Sequence, residues 1–368
     1  MNKIIYLDAA ATMQKPRAVI DAETDFLCNK YANAGRGICG RAAAVDDMVA
    51  RARGAVAKFI NAAPHQVIFT SGATDGLNRA VRMVSGHFSR VVRVAVSDLD
   101  HHSARLPWME MAARGRGEIV VMPLNKSFDI DVSLVPAADV VVITAMSNVI
   151  GRAQDVSAIV AAARAKNPGV ITIVDAAQYV VHDAIDVAAW NADFVCFSGH
   201  KVGADTGLGV MYVKNPDKWT PDNFGGGMVN KIVGDDIVLN ASPDKFEAGT
   251  LPLTQIAGIV PAIDYLQSHR PDLNLIKYMY DELSKLPRIK IITSRDAALL
   301  TFVVDGMHVL DFGAMAGVRG LCMRVGNMCA TWIHRALGLQ GTARLSVGAE
   351  TVMDDAVRAV EIIKDIVK

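Results

Sequence analysis

Seven short apolar runs separated by stretches of helical patterning constrain the fold of this chain more than any other feature. Val67 to Phe69, Val91 to Val96, Ile119 to Met122, Val140 to Thr144, Val170 to Val174, Phe194 to Phe197 and Gly209 to Val213 are rich in Val, Ile and Phe and nearly continuous in apolar character. Strands without a polar side must be covered on both faces, which points to a mainly parallel sheet between helices. The expected fold class is therefore α/β. Between the runs, Val45, Val49, Ala52, Val56 and Phe59 recur at helical spacing and form a stripe for packing, leaving Asp46, Asp47, Arg51 and Arg53 to face water.

After Pro252 the pattern changes to longer helices around a second set of strands, Ile289 to Ile292 and Leu299 to Val304. It closes with a helix whose stripe is Ala356, Val360, Ile363 and Val367. A chain of 368 residues exceeds what one core usually organises. Two closely packed domains are expected: a large one over 16–252, and a smaller α+β one made of 1–15 and 253–368.

The 38 Lys and Arg balance the 38 Asp and Glu, so no global field draws the chain to nucleic acid or anionic lipid. Any anion site must be local. The most apolar segments fall well short of the roughly 20 residues a spanning helix needs, and Asp8 interrupts the apolar start, so a cytoplasmic protein with no membrane span is expected. The five cysteines, Cys28, Cys39, Cys196, Cys322 and Cys329, form no CxxC pair and no zinc-type spacing. Reduced thiols and no metal site follow.

Four segments carry candidate chemistry. In Phe194-Val195-Cys196-Phe197-Ser198-Gly199-His200-Lys201 an apolar strand runs straight into a lysine. Partly desolvated, such an amine has a lowered pKa and can form a Schiff base with an aldehyde; a surface lysine after a strand is the plain alternative. Phe69-Thr70-Ser71-Gly72-Ala73-Thr74-Asp75-Gly76 places small residues before a helical stretch. Free N–H groups there can surround a phosphate or simply cap the helix. Asp175, at the end of the run Ile171 to Val174, needs a cation to stay ionised if buried. A pyridinium nitrogen would serve, though an N-cap role is equally open. Leu99-Asp100-His101-His102-Ser103 offers an imidazole to stack on a flat ring or carry a proton, or else a surface histidine pair.

Taken in order, these segments resemble the class V aminotransferase family, and within it the cysteine desulfurases and selenocysteine lyases. The resemblance runs from Tyr6-Leu7-Asp8-Ala9-Ala10-Ala11-Thr12 to the strand around Arg344, and Ser198-Gly199-His200-Lys201 is its most specific part, supported by Val174-Asp175-Ala176-Ala177-Gln178. It implies the fold type I of enzymes dependent on pyridoxal 5′-phosphate (PLP), with a mainly parallel seven-stranded sheet. It also implies residue roles: Lys201 carries the cofactor, Asp175 holds the ring nitrogen, Gln178 contacts the phenolic oxygen and His101 stacks on the ring. Ala73, Thr74, Ser198 and His200 would surround the phosphate. Thr250, in Glu247-Ala248-Gly249-Thr250-Leu251-Pro252, resembles the threonine that reaches the phosphate of a neighbouring subunit, which makes a homodimer the expected active unit.

The stretch Arg324-Val325-Gly326-Asn327-Met328-Cys329-Ala330 resembles the desulfurase loop that presents a nucleophilic cysteine. Cys322 and Cys196 read instead as packing residues of strands. Gly341-Thr342-Ala343-Arg344-Leu345-Ser346 resembles the segment whose arginine clamps the substrate α-carboxylate, a task suited to the planar guanidinium. Asn148 and Arg36 match family residues near the substrate. The implied reaction takes L-cysteine to L-alanine, with sulfur held as a persulfide on Cys329 and passed to a protein acceptor. The chain departs from the family after Lys201, where Val202-Gly203-Ala204-Asp205 replaces the usual Gly-Pro turn. Alternatives on the same scaffold are a selenocysteine lyase, an aminotransferase of small amino acids, and a sulfur-relay scaffold that retains PLP. A dinucleotide enzyme is disfavoured, because no Gly-x-Gly-x-x-Gly turn follows an early strand.

Overall fold

The computed structural model describes residues 4–35 and 37–368. Among these residues the chain opens with a short strand, β1 (Ile5–Tyr6), and then builds a seven-stranded sheet. Its members are β2 (Val67–Thr70), β3 (Val92–Ser97), β4 (Gly117–Met122), β5 (Val140–Thr144), β6 (Ile171–Asp175), β7 (Phe194–Ser198) and β8 (Gly209–Val213). They lie in the order β2-β8-β7-β6-β5-β3-β4. All neighbours are parallel except that β8 runs against both β2 and β7. Every residue of β2, β5, β6, β7 and β8 is buried, as the apolar runs require. With β8 reversed, the C-terminal ends of β2, β3, β5, β6 and β7 share one edge, where open α/β sheets place their ligands.

The helix Gly40–Phe59 buries the predicted stripe of Val45, Val49, Ala52, Val56 and Phe59. Arg53, expected to face water, is a correction: it is 7% exposed. Its guanidinium donates to both carboxylate oxygens of Glu247, at 2.7 and 2.8 Å, and to the Val67 carbonyl at 2.8 Å. Glu247 also accepts from the Phe69 N–H at 2.7 Å. Arg53 falls at the stripe's own helical spacing, and a buried charge is tolerable there because a distant carboxylate pairs with it.

Further strands follow: β9 (Val229–Val233) and β10 (Asp236–Leu239) as a surface hairpin, then β11 (Ile289–Ile291), β12 (Leu300–Val304), β13 (Leu321–Cys322), β14 (Arg324–Gly326) and β15 (Thr342–Leu345). A four-stranded antiparallel sheet forms in the order β11-β12-β15-β14, while β1 pairs in parallel with β13. The closing helix Met353–Val367 lays Ala356, Val360, Ile363 and Val367 onto this sheet's core beside Ile5, Leu7, Phe302 and Phe312. The helix Leu253–Ser268 packs the other way. Its Ile256, Ile259 and Ile263 join Val19, Val49 and Val56 in the core of the large sheet, although residue 253 is where the sequence places the start of the smaller part. An apolar helix face signals burial without naming its partner.

The two sheets meet closely. The Ala298 N–H donates to the Gly151 carbonyl at 2.8 Å, and the Thr301 hydroxyl to the Val149 carbonyl at 2.6 Å. Gly151 has φ of +64°, and a side chain there would come within 2.8 Å of the Leu299 nitrogen, so glycine is required on both counts. Among the described residues no helix is long and apolar enough to cross a membrane.

Candidate active site

A pocket of about 330 Å³ opens where the shared edge of the large sheet faces β14 and β15. Lys201 reaches it from the turn that ends β7, with its Nζ donating to the Ala10 carbonyl. Burial, helped by the nearby Arg344, brings its pKa down to about 8, so the neutral amine is far easier to reach than in a free lysine. Asp175 ends β6, is 5% exposed and accepts from the Ala177 N–H at 3.0 Å. Burial raises its pKa, and the charge of His101 opposes this. A carboxylate so placed is most stable against a cation.

Gln178 follows on the same turn. Its Nε2 donates to the Ala10 carbonyl at 2.7 Å, while its Oε1 is buried without a partner. His101 caps the helix His102–Ala113, its Nδ1 3.0 Å from the Ser103 hydroxyl and accepting from the Ser103 N–H at 3.2 Å. Burial lowers its pKa, favouring the neutral ring. His200 is pushed down to about 4 by burial and by Lys201, and its Nδ1 is buried and unpartnered.

At the other end of the pocket the helix Ala73–His87 begins behind Gly72. The Ala73 N–H donates to the Ser198 hydroxyl at 2.7 Å, and the hydroxyls of Thr74 and Ser103 lie 2.7 Å apart. Small side chains, hydroxyls and a helix N-terminus converge here, the setting that suits a phosphate. A side chain on Gly209 would come within 2.4 Å of the Gly72 backbone, so the turn holding this helix start has no room for one.

Facing these groups, Met328 and Cys329 follow β14 with φ of +51° and +53°, two successive left-handed residues that are not glycine. The Asn148 side-chain amide donates to the Met328 carbonyl at 2.7 Å, and the His102 N–H donates to the Cys329 carbonyl at 2.7 Å. Such backbone persists only where its surroundings hold it, and functional sites are where it collects. Cys329 is exposed and lines the pocket. Cys322 lies in β13, and the buried Cys196, in β7, has its thiol pKa pushed far up by burial. Neither lines the pocket.

Arg344, on β15, is 2% exposed. Its Nη1 donates to the Asn148 carbonyl at 2.8 Å, its Nη2 to Asp8 at 3.2 Å, and its Nε has no partner. Burial brings its pKa down to about 10, which leaves it charged at neutral pH.

The structure thus brings together Ala73, Thr74, His101, Asn148, Asp175, Gln178, Ser198, His200, Lys201, Cys329 and Arg344 around one space. Thr250 is exposed, in the turn after Gly249, and does not line this pocket. Arg36 lies outside the described residues. Three contributors went unassigned in the sequence: the Ala10 carbonyl, which Lys201 and Gln178 share, Asp8, and Arg324, whose Nη2 donates to Asp8 at 2.6 Å. Asp8 and Arg324 stand inside motifs quoted above, and a carboxylate ending the apolar run Ile4 to Leu7 was the available signal.

These residues fit a flat pyridinium bearing a phosphate. A buried carboxylate, an amine of lowered pKa and a helix start lined with hydroxyls share one cavity of suitable size with Gln178 and Arg344, each of which keeps a buried polar atom without a partner. The chain matches the aminotransferase class-V family model over residues 5–358 and belongs to that family, whose members depend on PLP.

Its relatives narrow the comparison. A probable cysteine desulfurase of Vibrio cholerae serotype O1 is 32% identical, with 98% of this chain and 92% of the relative covered. One from Pseudomonas putida is 33% identical over 96% of this chain and 91% of its own. Among solved structures, an apo cysteine desulfurase from Thermococcus onnurineus superposes with a TM-score of 0.94 at 26% identity, covering 99% of this chain and 94% of that one. The S-sulfonic acid form of the Escherichia coli cysteine desulfurase CsdA gives 0.90 at 29% identity, covering 98% and 94%.

Proposed function

We propose that this chain is a cysteine desulfurase that converts L-cysteine to L-alanine and passes the sulfur, held as a persulfide on Cys329, to a protein acceptor. One observation carries the reading: the exposed Cys329, Lys201 and the buried Arg344 line one pocket. Bound PLP supplies an electron sink for charge developing at the substrate Cα. Asp175 would hold the ring nitrogen, Gln178 would contact the phenolic oxygen and His101 would pack against the ring. Ala73, Thr74, Ser198 and His200 hold the phosphate.

Arg344, with Asn148 beside it, binds the substrate α-carboxylate and so aims the Cα–H bond at Lys201; Arg36 is a further candidate for that carboxylate. The neutral Lys201 amine takes that proton and later returns one. The Cys329 thiolate attacks the substrate sulfur: an S–S bond forms, the substrate C–S bond breaks, and its electron pair stays with the three-carbon fragment that leaves as alanine after protonation. Thr250, exposed on this chain, serves the phosphate site of a second copy in a homodimer. The chain divides into a larger part around the seven-stranded sheet, 16–252, and a smaller part, 1–15 and 253–368, that carries Cys329 and Arg344. A cytoplasmic location suits a free reactive thiol.

The test is to incubate the holoenzyme with L-cysteine and a reductant and to measure alanine and sulfide for wild type and Cys329→Ala. Equal amounts from wild type, lost in the variant, are the expected result. Turnover that requires a keto acid, or that survives in the variant, would overturn the reading.

A further inference from the structure

Asp8 joins the two arginines of the pocket wall. It follows β1, is 7% exposed, and is held by a bridge to Ser346, two residues beyond Arg344 on the β15 segment. Arg324 donates to its carboxylate through Nη2 at 2.6 Å and Nε at 3.4 Å, and Arg344 through Nη2 at 3.2 Å. Both guanidinium groups line the pocket, whereas Asp8 stands behind them. Within this trio two positive charges therefore meet one negative charge, an excess of one positive charge on this part of the pocket wall. Arg344, nearly sealed from water, keeps an unpartnered Nε. Arg324 is half exposed at the mouth.

We propose that Asp8 is a specificity-determining residue: by neutralising one of the two guanidinium charges it matches the pocket to an amino acid with a single anionic group and disfavours one with a second. The inference rests on the reading of Arg344 as the α-carboxylate clamp. Asp8 acts through the arginines and is a positioning residue. Without its charge, Arg324 is released toward the cavity mouth and can take a second carboxylate. Without Arg324, Asp8 would cancel Arg344 and weaken even a monocarboxylate. Asp8 and Arg344 are close and poorly solvated, so their interaction is strong enough to shift affinity by an order of magnitude.

The experiment is calorimetric titration of the holoenzyme with L-alanine and with L-aspartate, for wild type, Asp8→Asn, Arg324→Gln and the double variant. Wild type is expected to favour alanine. Asp8→Asn should move the aspartate-to-alanine affinity ratio at least tenfold toward aspartate, and Asp8→Glu should restore it. Arg324→Gln should weaken alanine about tenfold, and the double variant, with one net charge again, should recover it even if Asp8→Asn alone folds poorly. A buttress that merely supports the wall would lower both affinities together. An unchanged ratio, or a double variant no better than Arg324→Gln, overturns the proposal. If wild type binds neither amino acid, the clamp reading and the proposal fail together; if it binds both yet makes no alanine from cysteine, the desulfurase reading alone fails and the ratio still decides.

Discussion

The Asn148 side-chain amide donates to the Met328 carbonyl at 2.7 Å, tying the turn after β5 to the residue before Cys329. Together with the His102 N–H on the Cys329 carbonyl, it holds two left-handed residues in place and sets where the thiol points. Asn148→Ala removes the first tie and leaves the Asn148 carbonyl on Arg344 intact. Alanine production should fall about 10- to 100-fold, with kcat lowered because a thiol misplaced by an ångström loses its line of attack and KM raised because Asn148 also stands beside the substrate carboxylate. Iodoacetamide should meanwhile modify the loosened Cys329 faster than in wild type.

Lys201 combines an attachment role with proton transfer. Lys201→Ala should lose the visible absorbance of the covalently held cofactor and lower turnover by at least 10²–10⁴-fold, the usual worth of a positioned acid–base group. Absorbance spectra and alanine assays on one preparation separate the two losses.

His182 contributes to the pH dependence of stability. Burial and the charge of Arg270 bring its pKa down to about 4, and its Nδ1 has no partner. The unfolded chain takes up this proton near pH 6.5, the folded chain only near 4. Between these values the unfolded state binds more protons, so stability rises with pH across the window and is lost on acidification. The contribution is at most about 3 kcal/mol. His200, also brought down to about 4, acts in the same sense. Urea unfolding at pH 4 and 7 should show a smaller pH difference for His182→Gln than for wild type.

The Arg53–Glu247 pair is buried on both sides, with side chains 8% and 4% exposed. Arg53→Met would leave Glu247 with only the Phe69 N–H and a buried, uncompensated charge. A loss of about 3–5 kcal/mol is expected in urea unfolding. Arg53→Met with Glu247→Leu should recover much of it, since no charge is then stranded.

The large sheet and one side of the pocket are legible in the residue order. Runs such as Val140 to Thr144 and Phe194 to Phe197 have no polar side, so they must be covered on both faces wherever they lie. Lys201 and Asp175 then arrive at strand ends through purely local geometry, a few residues beyond apolar runs. Other relationships have no local trace. Asp8 and Arg344 are 336 residues apart, Asn148 and Met328 180, and Arg53 and Glu247 194. Each pair consists of polar groups whose burial is tolerable only once the partner is present, and a partner so distant leaves no periodicity to read. The helix Leu253–Ser268 makes the same point: its apolar face demanded a core, but only packing against the helices Arg17–Asp25 and Gly40–Phe59 settled which. Burial demand is a property of short segments of chain, whereas pairing depends on the closure of long loops.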